Sequence, residues 1–299
     1  MNHNRVPTIE LGGTHVAVAV IDTAAHAIVD GTYRTRPLNS AGDAGDILEH
    51  IIAAARTLGS DHGGRWAVAV PGPFDFVAGV AQYAGVGKFD SLYGVDVRAR
   101  LAEALDADAN SFTFVNDADA FALGEHAAGA ARGLSRFCCI TLGTGVGSGW
   151  VVGGERTDGA APGGELHLLE FEGQRIEARM SRRAIRAAYA RQTGRATAVP
   201  DVKEIADLAR GGDAIAHEVL EDAFSFLGRA LAGPLARFHA DALIVGGTIA
   251  RSWDLLEPPL ADGLGRTGLR VIRAELSYEA PMIGAAGVVD AALLGARGA

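Results

Sequence analysis

The chain has 299 residues, 48 % of them hydrophobic, and a formal net charge of −9. That length and apolar share suit a folded protein with interior enough for two lobes, and the acidic balance argues against a nucleic-acid partner, which needs a concentrated basic surface. No stretch holds the ~20 uninterrupted apolar residues of a membrane span, and the opening MNHNRVPTIE lacks the apolar centre of a signal peptide, so a cytoplasmic protein with no membrane partner is predicted.

Residues 8–22, TIELGGTHVAVAVID, read as a strand, a Gly12-Gly13-Thr14 turn and a second alternating strand. Ile47, Leu48, Ile51, Ile52, Ala55 and Leu58 then recur at helical spacing. Residues 65–73, RWAVAVPGP, form a buried strand stopped by Pro-Gly-Pro. The run SFTFV is rich in β-branched and aromatic residues and reads as a short strand. It stops at Asn116-Asp117, with a helix behind it. Asp117 therefore stands where a strand hands over to a helix, the place where α/β folds meet their ligands. A carboxylate there is either the N-cap of the helix or a group turned to a ligand, and the junction alone allows both.

Residues 137–154, FCCITLGTGVGSGWVVGG, repeat the first pattern: strand, Gly143-Thr144-Gly145 turn, strand. Two such turns, opening two halves of a mixed strand and helix chain, suggest a duplicated domain with an anion clamp from each half, because glycines let backbone amides approach a ligand. Cys138 and Cys139 are adjacent in the second apolar run, so they point to opposite faces and form neither a disulfide nor a CxxC metal pair. Further on, Ile215, Val219, Phe224, Leu227, Leu231 and Leu235 give a helix. ADALIVGGTIA (240–250) gives a strand ending at Gly246-Gly247, and an alanine-rich helix starts near Pro281.

Taken in order, ELGGTH, NDADAFALGE, LGTGVGSG and LIVGGTIA resemble the motifs of the ROK family of sugar kinases and related repressors, in the actin-like ATPase superfamily. The resemblance covers almost the whole chain. It implies an α/β fold of two ribonuclease-H-like lobes with a ligand cleft between them: residues 1–115, completed by a C-terminal helix over 283–297, and residues 116–282. It also implies an ATP- and Mg²⁺-dependent kinase acting on a small-molecule sugar or cyclitol, usually a homodimer. By resemblance Asp117 is the catalytic base, and Asn116, Glu165, His167 and Glu177 contact the sugar. Gly12, Gly13, Thr14, Gly143, Thr144 and Gly145 surround the phosphates, and Gly246 and Gly247 admit adenosine. A helix N-terminus is expected to keep the Asp117 carboxylate ionised.

The sequence departs from the family pattern at several points. Glu10 stands where the family has aspartate. No asparagine stands near Gly85, where the kinases place a sugar contact; Lys88 and Asp90 are the polar residues nearby, as replacements or as part of a solvated loop. The segment 163–185 lacks the family's cysteine cluster, and a lone histidine does not supply the roughly four ligands of structural zinc, so none is expected. Arg182 and Arg183 read as a solvated helix face. These changes touch acceptor recognition more than ATP recognition, and favour a ring other than plain glucose, such as an amino sugar or a C7-cyclitol. An ordinary glucokinase is the alternative. A repressor or a lapsed sugar sensor fits less well, because the first phosphate motif begins by residue 8 and Asp117 is present. Gly145 and Gly147 do not make a dinucleotide motif, because a strand follows the turn where a helix is needed.

Overall fold

The structure, a computed structural model, describes residues 4–157, 165–195, 197–265 and 268–297. Its contacts divide the chain into two compact units, Met1–Arg132 with Tyr278–Ala299, and Gly133–Ser277.

The first unit opens with β1 (Arg5–Leu11), β2 (His15–Asp22), β3 (Ala27–Ile28) and β4 (Arg34–Pro37), followed by α1 (Ala44–Ala55). Then come β5 (Trp66–Val70), the β6–β7 hairpin (Phe74–Asp75, Val80–Ala81), α2 (Val97–Leu105), β8 (Phe112–Asn116) and α3 (Asp117–Ala128). The sheet runs β3–β2–β1–β5–β8, with β4 also on β2; β1 and β2 are antiparallel, whereas β5 lies parallel to both β1 and β8. Side chains alternate across a strand. Ile9, Leu11, Val16, Val18, Val68 and Val70 build one core with Ile47, Leu48 and Ile51 of α1. The intervening Glu10, Ala17, Ala19, Ala67 and Ala69 line the opposite face.

The second unit has the same plan. It contains β9 (Arg136–Leu142), β10 (Val146–Val152), β11 (Glu155–Arg156) and the β12–β13 hairpin (Glu170–Phe171, Gln174–Arg175). The helices α4 (Ile176–Met180), α5 (Arg182–Thr193), α6 (Val202–Arg210) and α7 (Ala214–Phe238) follow, then β14 (Ala242–Gly246), α8 (Trp253–Leu264) and β15 (Arg270–Arg273). Its sheet runs β11–β10–β9–β14–β15, again an antiparallel hairpin beside parallel strands. The repeat read from the two Gly-Thr turns is thus a repeat of topology. Cys138 and Cys139 are both buried in β9 and form no disulfide.

The chain returns to the first unit in α9 (Glu279–Arg297), which packs on β5, β1 and β8 and, most extensively, on α3. Backbones meet there at glycines: a side chain on Gly124 would collide with the Ala280 carbonyl, and one on Gly284 with that of Ala120. Because α3 is bound to α9 in this way, the first unit extends through Arg132. Asn116 and Asp117 therefore lie within the first unit, not at the start of the second as the 115/116 division has it.

Candidate active site

In the first unit, β8 delivers its last residue, Asn116, to the start of α3. Asn116 is the N-cap: its Oδ1 accepts from the amides of Ala118 at 2.9 Å and Asp119 at 3.2 Å. That settles one alternative left by the sequence. The capping duty belongs to Asn116, and Asp117 is the first helical residue, its Oδ1 accepting from the Ala118 amide at 2.9 Å.

The electrostatics around Asp117 differ from the sequence expectation. Burial raises its pKa, and the Lys88 ammonium and the amides of Ala118 and Asp117 itself only partly offset that rise. The helix terminus acts in the expected direction, but desolvation outweighs it. A second acid lies close by. Glu10, near the end of β1, is pushed up to about 8 by burial and then by the Asp117 charge. The residue as a whole is half-buried, yet its Oε2 is closed off and accepts no hydrogen bond among the described residues. The Tyr83 hydroxyl donates to the Pro71 carbonyl at 2.9 Å, and its pKa is raised by burial and by Asp117.

The β1–β2 turn carries Gly12, Gly13 and Thr14. The Gly12 amide donates to the His15 carbonyl at 2.9 Å, whereas a side chain on Gly13 would meet nothing within 4 Å. Thr14 is exposed. The turn therefore presents backbone with open space in front of it.

In the second unit the β9–β10 turn is closed by the Gly143 amide donating to the Gly145 carbonyl at 3.0 Å. The Arg182 amide, at the start of α5, donates to the Gly143 carbonyl at 2.9 Å. Thr144 is exposed. A Cβ on Gly145 would stand 2.7 Å from Oε1 of Glu177, so this turn and that carboxylate are neighbours. Gly247, with φ of +86°, leaves β14 so close to Leu142 that any side chain would strike the Leu142 backbone; Gly246 is buried. A Cβ on Gly143 would in turn lie 3.7 Å from the Thr248 hydroxyl. Gly143–Gly145, Glu177 and Gly246–Thr248 thus form one cluster, in which Thr248 was missed from sequence although it follows Gly246-Gly247 directly.

Glu165 and His167 are brought to each other, 3.4 Å apart, on a single helical turn over Leu166–Leu168 that packs on β10 and α4. Glu165 is exposed, and the Gly163-Gly164 pair before it lies outside the described residues. Arg182 is tied to Asp201 by two hydrogen bonds, the second at 2.7 Å, so it is a structural link as well as part of a helix face. Asp90 also has a structural duty, its Oδ1 accepting from the amides of Val86 at 2.9 Å and Gly87 at 3.2 Å.

The orphaned Glu10 oxygen fits a cation or a cation-bound water. A Mg²⁺ ion that arrives with phosphates needs only one or two carboxylates from the protein. Among the described residues no group of three or more His, Cys, Asp or Glu is placed to hold a metal ion, and no helix is long and apolar enough to cross a membrane.

The chain matches the model of the ROK family over residues 6–292. It is similar to a glucokinase from Thermotoga maritima, with 27 % identity covering 94 % of this chain and 96 % of that protein. A bifunctional enzyme NanE/NanK from Brucella melitensis is 28 % identical over 94 % of this chain, which spans 53 % of that longer protein. Among solved structures, a ROK hexokinase from Thermus thermophilus superposes with a TM-score of 0.79 at 27 % identity, covering 97 % of this chain and 99 % of that one. With the family match spanning nearly every described element, this chain belongs to the ROK family.

Proposed function

We propose that this protein is an ATP-dependent carbohydrate kinase that transfers the γ-phosphoryl group to a primary hydroxyl of a hexose or hexose-like ring. The observation that carries the reading is the division of labour at the start of α3. Asn116 caps the helix, leaving Asp117 as a half-buried carboxylate of raised basicity, which suits a general base. Family membership and the relatives named glucokinase and hexokinase support it.

In this reading Asp117 accepts the acceptor hydroxyl's proton as its oxygen bonds to the γ-phosphorus and the bond to ADP breaks. The Asn116 Oδ1 is engaged with the helix, so its amide donates to a neighbouring ring hydroxyl. Glu165, His167 and Glu177 take further hydroxyls. Gly12, Gly13, Thr14, Gly143, Thr144 and Gly145 surround the phosphates with amides and hydroxyls, and Gly246 and Gly247 accept adenosine. Mg²⁺, when bound with ATP, neutralises phosphate charge, and Glu10 Oε2 is the group that would hold it. A homodimer in the cytoplasm, without structural zinc, completes the proposal. The acceptor differs from glucose, as an amino sugar or C7-cyclitol does, because the family's asparagine near Gly85 is replaced; an ordinary glucokinase is the competing outcome.

The test is ATP-dependent phosphorylation measured across hexoses, amino sugars and cyclitols, with Asp117→Asn as the control. The variant should fold and bind ATP while turnover falls by roughly 10²-fold or more. Near-normal turnover in the folded variant overturns Asp117 as the base. If glucose exceeds every analogue tenfold in kcat/KM, the enzyme is a glucokinase.

A further inference from the structure

The loop between β7 and α2 is built around one residue. Gly85, Gly87 and Phe89 all adopt left-handed backbone, with φ of +68°, +78° and +60°. A non-glycine residue in that region costs energy and persists only when its surroundings enforce it. Here they do. The Asp90 carboxylate gathers the amides of Val86 and Gly87, the Phe89 amide donates to the Ser40 carbonyl at 2.6 Å, and the Ser91 hydroxyl donates to the Gly42 carbonyl at 2.8 Å. The Phe89 ring is fully buried, with its centroid 5.4 Å from that of Tyr83. Between these anchors stands Lys88, half-buried, with no hydrogen bond or ion pair among the described residues. Its ammonium is near enough for its charge to act on Asp117, yet the two form no ion pair. A lysine held on a strained, anchored loop and left unpaired beside a carboxylate has donors to spare for a ligand group lying between them.

We propose that Lys88 is a specificity-determining residue of the acceptor site. It donates to the ring oxygen substituent next to the hydroxymethyl group presented to Asp117, and it repels acceptors that carry a protonated amine at that ring position. The inference rests on the kinase reading and deepens it: an amino sugar is accepted only with its amine elsewhere on the ring.

The experiment is steady-state kinetics of the wild type, Lys88→Met and Lys88→Arg. The acceptors are D-glucose and 4-amino-4-deoxy-D-glucose, or the hexose that the acceptor screen ranks first and its 4-amino-4-deoxy analogue. Lys88→Met should raise the KM for the hexose roughly tenfold or more, as for a lost charge-assisted hydrogen bond, while the KM for ATP stays unchanged. Lys88→Arg should restore most of the loss. The wild type should prefer the hexose to its amine by tenfold or more, and Lys88→Met should erase the preference. Asp90→Ala, which loosens the loop without touching the ammonium, should raise the hexose KM as well. An unchanged hexose KM in Lys88→Met, or equal use of the amine by the wild type, overturns the role of Lys88 alone. Absence of wild-type turnover with every hexose overturns the kinase reading and this inference together.

Discussion

Asn116 and Asp117 are adjacent, both polar, and both suited to the end of a helix, and the sequence leaves open whether Asp117 caps it; the resemblance makes Asn116 only a sugar contact. The choice is made by the backbone: Asn116 keeps the extended conformation of β8, with φ of −60° and ψ of 138°, and that geometry turns its side chain onto the helix amides. Protonation was less legible still, because desolvation depends on what packs around a group and not on its neighbours in sequence. Glu10 is the clearest case. Its carboxyl rises from an ordinary 4.5 to about 8, so the folded protein retains a proton that the unfolded chain gives up across that range. Stability without ligands should therefore fall as pH rises from about 4.5 to 8, since the unfolded state binds fewer protons there; the raised Asp117 acts in the same direction. Glu10→Gln should remove most of the slope, gaining roughly 1–3 kcal/mol at pH 8 and little at pH 4.5. Urea unfolding at several pH values checks this, and equal slopes in the two proteins would contradict the burial of the Glu10 charge.

At the scale of elements, the strands and most helices were legible because their periodicity is strong. β1, β2, β5, β8, β9, β10 and β14 fall where alternation or buried apolar runs place them, and α7 follows its leucine and phenylalanine spacing. The attachment of α3 was not legible. Its apolar content is ordinary, and what fixes it is close approach to α9, a partner more than 150 residues away in sequence. Glycine inside a helix costs about 1 kcal/mol relative to alanine, and at Gly124 and Gly284 that cost is offset by backbone contact between the helices. Gly287, also in α9, is exposed and would meet nothing. The two α9 sites should therefore respond with opposite signs. Gly287→Ala should stabilise by about 0.5–1 kcal/mol, whereas Gly284→Ala should destabilise by about 3 kcal/mol through overpacking. It should also lower turnover, because α3 carries Asp117. Chemical denaturation of both variants is the measurement, and stabilisation by Gly284→Ala would refute the close packing of α3 on α9.

At the scale of the whole molecule, an acidic chain is proposed to bind a polyanion, and two features make the charges compatible. The turns at Gly12–Thr14 and Gly143–Gly145 offer backbone amides in place of lysines, and Glu10 offers an unpartnered oxygen to a cation. On that proposal, a net charge of −9 would leave the neutralisation of triphosphate mainly to a metal ion bound with it. Catalysis should accordingly be lost on treatment with EDTA and recovered with Mg²⁺. Glu10→Gln should raise the Mg²⁺ concentration needed for half-maximal rate more than it raises the KM for the acceptor. Zinc has a different expectation. A structural site takes four nitrogen or sulfur ligands; both cysteines are buried in β9, and His167 is engaged with Glu165. Elemental analysis of the purified protein should therefore find well under one zinc per chain, with the fold unchanged by chelators that strip zinc. One tightly held zinc per chain, whose removal unfolds the protein, would mean that the segment around His167 holds a metal site of a kind its side chains do not announce.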